Sequence, residues 1–140
     1  MASTGVKLGH GSKVRIGRGA TPTWTQLSGL KDFSHPDQSP PDEDVTGHDS
    51  PGNTEENIPG LFPAADFTLT KDYVPEDAED VLLTDLYRAR GELILVEITP
   101  KGAATPRIWQ GYVKKWVGSM PVKGPMQGEL TIRVMAEVVA

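Results

Sequence analysis

Cysteine is absent from the 140 residues, which excludes disulfides, thiolate nucleophiles and Cys-ligated zinc and fits a chain that folds in a reducing compartment. Nowhere do about eighteen apolar residues run together, and the N-terminal stretch MASTGVKLGHGSKVRIGRGA carries basic residues with no apolar segment behind them. A soluble, unexported protein without membrane insertion is the expectation. Histidine is sparse, and His10, His35 and His48 fall in expected loops without a partner at the i, i+4 spacing that presents two metal ligands on one helix face. They read as surface histidines, and neither a metal nor a cofactor is expected. A basic excess is missing as well: the formal net charge is -5, a poor match for nucleic-acid binding.

What is present is a polar, proline-broken run over residues 36–61. It places Pro36, Pro40, Pro41, Pro51 and Pro59 among Asp37, Asp42, Glu43, Asp44, Asp49, Glu55 and Glu56, with Val45 and Ile58 as apolar points. Proline removes a backbone donor and such charge density resists burial, so this run is no central strand. Connections of this length in a compact domain are either functional or disordered. A solvated, mobile loop is one reading; an arm that orders against a neighbouring molecule is the other. Charge is distributed unevenly around it. The first eighteen residues hold Lys7, Lys13, Arg15 and Arg18 with no acid, residues 32–85 hold most of the 19 acids, and bases outnumber acids from Lys101 onward. Unlike patches on one molecule suit head-to-tail contact between copies.

The rest reads as one mainly β domain over residues 1–140, with a loose N-terminal arm over 1–11. Residues 12–18 alternate Val14 and Ile16 with polar neighbours, residues 23–33 form a second strand with Trp24 inward and Gly29 at a bulge or bend, and residues 64–71 set Ala65, Phe67 and Leu69 against Asp66, Thr68 and Thr70. The period then changes: over residues 75–90, Ala78, Leu82, Leu86 and Ala89 recur at helical spacing, with acids crowding the start and Arg88, Arg90 and Gly91 at the end. Strands over 92–99, 107–117 and 127–139 complete an antiparallel β-sandwich or barrel with one flanking helix.

No motif for chemistry survives inspection. Asp42, Asp44, Thr46 and Gly47 open like a calcium loop, but Asn53 stands where a bidentate Glu is needed. His48-Asp49-Ser50 holds the residue types of a hydrolase triad, yet consecutive residues cannot form the relay. Trp109 and Trp116 lie seven apart, on opposite faces of a regular strand, so with Lys114 and Lys115 they form no stacking platform. An enzyme is not expected.

The order of Trp24, Asp44-Val45-Thr46, Asp49-Ser50 and Ile58-Pro59-Gly60-Leu61, then the Phe67/Leu69 strand, the acidic-start helix and Gly111-Tyr112-Val113, resembles the major tail tube protein of long-tailed, non-contractile (siphovirus-type) bacteriophages. That family is related in fold to the type VI secretion tube protein. The resemblance spans about residues 13–139 and implies a virion structural protein, assembled in the host cytoplasm. Subunits would form hexameric rings stacked head-to-tail into the tail channel, through which DNA passes without specific binding. It further implies tape-measure, tail-terminator and tail-tip proteins as partners and an acidic channel wall, with Asp66 as a candidate lining residue. Asp44, Val45, Thr46, Asp49, Ser50, Ile58, Pro59 and Leu61 would contact a neighbouring subunit, with Lys13 and Arg15 as opposite-sign partners. A tube of a contractile tail or secretion-type injection system, or a monomeric β-sandwich binding module, are the alternatives.

Overall fold

A computed structural model describes residues 8–138. The arm before residue 8, and the end of the last expected strand at Val139 with Ala140, lie outside the described residues. The elements are β1 (Lys13–Arg18), β2 (Thr23–Gln26), β3 (Asp42–Asp44), β4 (Asn57–Pro59), β5 (Ala65–Asp72), α1 (Ala78–Arg88), β6 (Ile94–Thr99), β7 (Arg107–Ser119) and β8 (Gln127–Val138). Six strands form one antiparallel sheet in the order β2-β1-β6-β7-β8-β5, and β3 pairs with β4 apart from it.

The sheet curls around its apolar face. Period-2 alternation turns Val14, Ile16, Phe67, Leu69, Ile94, Val96, Ile98, Leu130, Ile132 and Val134 inward, and all are buried in one cluster. The expected second strand over 23–33 stops at Gln26 because the chain turns there to join the two edges of the sheet. Leu27 N donates to Val14 O at 2.9 Å on one side, while Lys31 N donates to Thr70 O at 2.8 Å and Asp72 N to Gly29 O at 3.0 Å on the other. Residues 27–31 thus bridge the two edge strands at one end, meeting β5 at residues 70–72, while the outer edges of Thr23–Gln26 and of residues 65–69 have no ladder partner among the described residues. Gly29 is the bend: its φ is 67°, and a Cβ there would lie 2.8 Å from the Asp72 carboxylate.

Three readings of the sequence are corrected by packing. Trp24, expected inward, pairs with Gly17 on the outer side of β1 and lies under Arg15. Trp109 and Trp116 do not point to opposite faces; both are buried. Val113 pairs with Ile132 and Lys115 with Thr131, so Lys114 is an extra residue that resets the alternation of β7 and turns Trp116 inward. Its indole fills space over Gly128, where a Cβ would come within 2.3 Å of the ring.

The helix begins at Ala78 rather than Pro75, and its buried face is Glu79, Asp80, Leu83 and Leu86, not the stripe through Ala78 and Ala89. Lys71, on the inner face of β5, imposes this rotation. Its ammonium, 1% exposed, pairs with Asp80 and, at 3.0 Å, with Glu79. Ser28 N and Oγ donate to Glu79 at 3.1 and 2.7 Å, and Val74 N donates to Asp80 at 2.6 Å. A buried charge is tolerated only when paired and hydrogen-bonded, so the helix presents two acids inward. Burial works against the Lys71 charge, but hydrogen bonds to Asp80 and Glu79 outweigh it and hold the ammonium above the usual lysine range.

Candidate assembly surfaces

The polar run over residues 36–61 is not a plain loop. Its middle is a β-ribbon in which Asp42 pairs with Pro59, Glu43 with Ile58 and Asp44 with Asn57, continued by Val45 N donating to Glu56 O at 2.9 Å. The residues of the D-V-T and D-S motif build this ribbon's own turn. Asp44 Oδ1 accepts from Thr46 N at 2.8 Å, Thr46 Oγ1 accepts from Glu56 N at 2.8 Å, and Ser50 Oγ accepts from Gly47 N at 3.0 Å. Hydrogen bonding from Thr46, its side chain first and then its backbone N–H, holds the Asp44 carboxyl below its ordinary range. Asp49 is exposed at the tip.

Strand alternation sorts the ribbon's faces. Glu43 and Val45 share a side, and the cross-strand partners Ile58 and Glu56 stand on that same side. One face therefore alternates apolar and acidic side chains, Val45 and Ile58 on one diagonal and Glu43 and Glu56 on the other. Val45 is 48% exposed and Ile58 51%, while Leu61, just beyond β4, is 90% exposed. No Lys or Arg occurs between residues 32 and 70, so nothing in the ribbon offsets its acids. An isolated two-stranded ribbon is marginally stable in water, and this one packs no core residue.

The ribbon leaves the barrel at a defined end. His35 stacks on Trp109 with ring centroids 5.4 Å apart, and the Gln38 amide donates to Pro63 O and Met135 O, each at 3.0 Å. That end is where β5 and β7 begin and β8 finishes. Burial under the stack, then the Arg107 charge, keeps the His35 pKa below the usual histidine value.

Further along the barrel, Tyr87, Arg88, Arg90, Gly91, Tyr112, Val113 and Lys114 line a shallow cleft of about 690 Å³. Arg90 has φ 51°, a left-handed conformation that no other non-glycine adopts among the described residues. It follows the helix C-cap Ala89, at the left-handed position that Gly usually fills, and so carries a guanidinium where such an ending commonly has no side chain.

The outward face of β8 and β5 carries charge in balanced form. Asp66 accepts from Arg133 at 3.1 Å and Lys114 at 3.3 Å, and Lys115 pairs with Glu129 at 3.2 Å. Arg133 first, with Lys114 adding to it, lowers the Asp66 pKa against a small cost of burial. Across the sheet, Arg15 makes two 2.8 Å bonds to Glu97 and lies over Trp24.

No family model and no curated protein matches the sequence. Solved structures do match. A chain from the tail of an empty GTA particle, obtained by helical refinement with C6 symmetry, superposes with a TM-score of 0.77 at 13% identity, covering 96% of this chain and 99% of that one. The chain shares the fold of that tail chain. The SPP1 tail tube matches with a TM-score of 0.62 at 16% identity, over 91% of this chain and 74% of that one. A chain from the structure of the PVC sheath/tube terminator in its extended state, part of an extracellular contractile injection system, matches with a TM-score of 0.64 at 13% identity, over 97% of this chain and 98% of that one.

On this tube fold the sequence-derived site residues divide into groups. Val45, Asp49, Ile58 and Leu61 present free side chains; Asp44, Thr46 and Ser50 shape the ribbon turn, and Pro59 lies in its return strand. Lys13 is exposed at the start of β1, whereas Arg15 is engaged by Glu97 of its own chain. Asp66 faces outward from β5, shared between two cations. The cleft around Arg88 and Arg90 escaped the sequence reading, because two arginines at a helix end were explained by the helix dipole alone.

Proposed function

We propose that the chain is the structural subunit of a phage-type tail tube, part of the virion tail, which polymerises as hexameric rings stacked head-to-tail. The observation that carries this reading is the near-complete superposition on the GTA tail chain, a structure built with C6 symmetry. Its own anatomy supports it: an exposed acidic and apolar ribbon with nothing in its own subunit to bury it, projecting from one end of a self-contained barrel. The role is structural and non-catalytic.

In the ring, the outward face bearing Asp66, Thr68, Glu129 and Arg133 would line the channel. Acid and base alternate there, so a passing DNA strand meets neither a sticking surface nor a strongly repelling one. The resemblance noted above supports a long non-contractile tail. It also supports tape-measure, terminator and tip proteins as partners, with assembly in the host cytoplasm before DNA delivery. The tube of a contractile injection system is the second reading, favoured by the PVC chain.

Negative-stain microscopy of concentrated protein tests the proposal: hollow tubes or six-fold rings are expected, and a strictly monomeric sample at all concentrations would reject it. Removing residues 42–57 should leave a folded monomer, by circular dichroism, that forms no tubes.

A further inference from the structure

Resting on that tube reading, we infer that the ribbon of one copy seats in the cleft of a second copy, lined by Tyr87, Arg88, Arg90, Tyr112 and Lys114. The two surfaces match in chemistry. The ribbon face offers Val45 and Ile58 diagonally interleaved with Glu43 and Glu56; the cleft offers two aromatic rings beside Arg88 and Arg90, with Lys114 already paired to Asp66. Carboxylates against arginines give direction and register, and aliphatic side chains against tyrosine rings supply burial.

The ribbon and the cleft stand on different parts of the subunit. The ribbon roots at the barrel end where β7 begins, and the cleft lies some six residues further along that strand, roughly 20 Å away at about 3.3 Å per residue. The ribbon's own residues do not line the cleft, which stays open to another molecule. Donor and acceptor surfaces on different parts of one subunit make a heterologous contact, the kind that propagates. Arg90 adds independent support. Its strained backbone aims a guanidinium into the cleft where a glycine would end the helix at lower cost, and such strain collects at functional positions.

Because the chain has no cysteine, directed crosslinking gives a clean test. Wild-type tubes are the starting point, and their absence would reject the tube reading and this one with it. In Val45→Cys/Tyr87→Cys protein, mild oxidation during assembly should give a ladder of covalent multimers, whereas the single variants give at most dimers. Charge reversal by Arg88→Glu with Arg90→Glu, both exposed, should raise the concentration needed for assembly at least tenfold while the melting temperature is kept. Combining it with Glu43→Lys and Glu56→Lys should restore assembly. Unchanged assembly of the Arg88/Arg90 variant, or no ladder in intact tubes, would overturn the inference. So would retained assembly with lost binding of a short DNA duplex, which would assign the cleft to nucleic acid.

Discussion

Single residues in this molecule are decided by what they must face. Lys71 sits at an inward position of an apolar alternation, where the sequence gives no hint of a buried cation, and it recruits Glu79 and Asp80 from the helix. Replacing it with Met would strand two carboxylates in the core. The expected cost is about 3–5 kcal/mol, read as a lower denaturation midpoint, and Lys71→Met with Glu79→Gln and Asp80→Asn should recover part of it. Arg90 gives the opposite sign. Arg90→Gly removes the penalty of a left-handed side-chain residue and should stabilise the isolated subunit by about 1 kcal/mol, while weakening assembly. A stabilised subunit that assembles worse separates a functional strain from a structural one. The His35 imidazole is held neutral in the folded chain by its stack on Trp109 and by Arg107, with Glu137 opposing. Its folded pKa lies below the unfolded value of 6.5, so the stability it contributes is present above that pH and is lost as pH falls through the folded value. The melting temperature should decline between pH 7.5 and 5.5, and less steeply in His35→Gln.

At the scale of elements, alternation and period located the long strands and the helix from sequence, because each has one face that must be buried. The face of the helix and the inward turn of Trp116 were not legible, since both follow from partners distant in the chain: Lys71 for the one, the β7 bulge against β8 for the other. The ribbon was read as too polar for the core, correctly, but its strand pairing was missed because three-residue strands of DED and NIP carry no alternating pattern. The bulge is open to a direct test. Deleting Lys114 would restore simple alternation, send Trp116 outward and empty its site over Gly128, costing roughly 3–5 kcal/mol, with a red-shifted tryptophan emission. Lys114→Ala keeps the bulge and loses only an exposed ion pair with Asp66, so a change within about 1 kcal/mol is expected.

The whole molecule combines a barrel with its own core and a ribbon that packs none of it, and on the proposed tube reading subunit stability and polymer stability should respond to different conditions. The barrel's charges are paired at short range, at Lys71, Arg15 and Asp66, and its core is apolar. The ribbon's acids meet no cation in their own stretch of chain, so their attraction for a neighbour is exposed and longer in range. Salt shortens the screening length from about 10 Å at 0.1 M to about 3 Å at 1 M, which weakens open encounters far more than buried pairs. Raising salt should therefore increase the concentration at which tubes form while leaving the melting temperature of the dilute subunit nearly constant. Light scattering against salt, set beside thermal unfolding of the same samples, reads both. If the two fall together, polymer contacts would be part of the fold itself and the ribbon would not be the element that joins copies. If only assembly responds, and the variant lacking residues 42–57 no longer responds at all, then the acidic ribbon is what each subunit extends to the next.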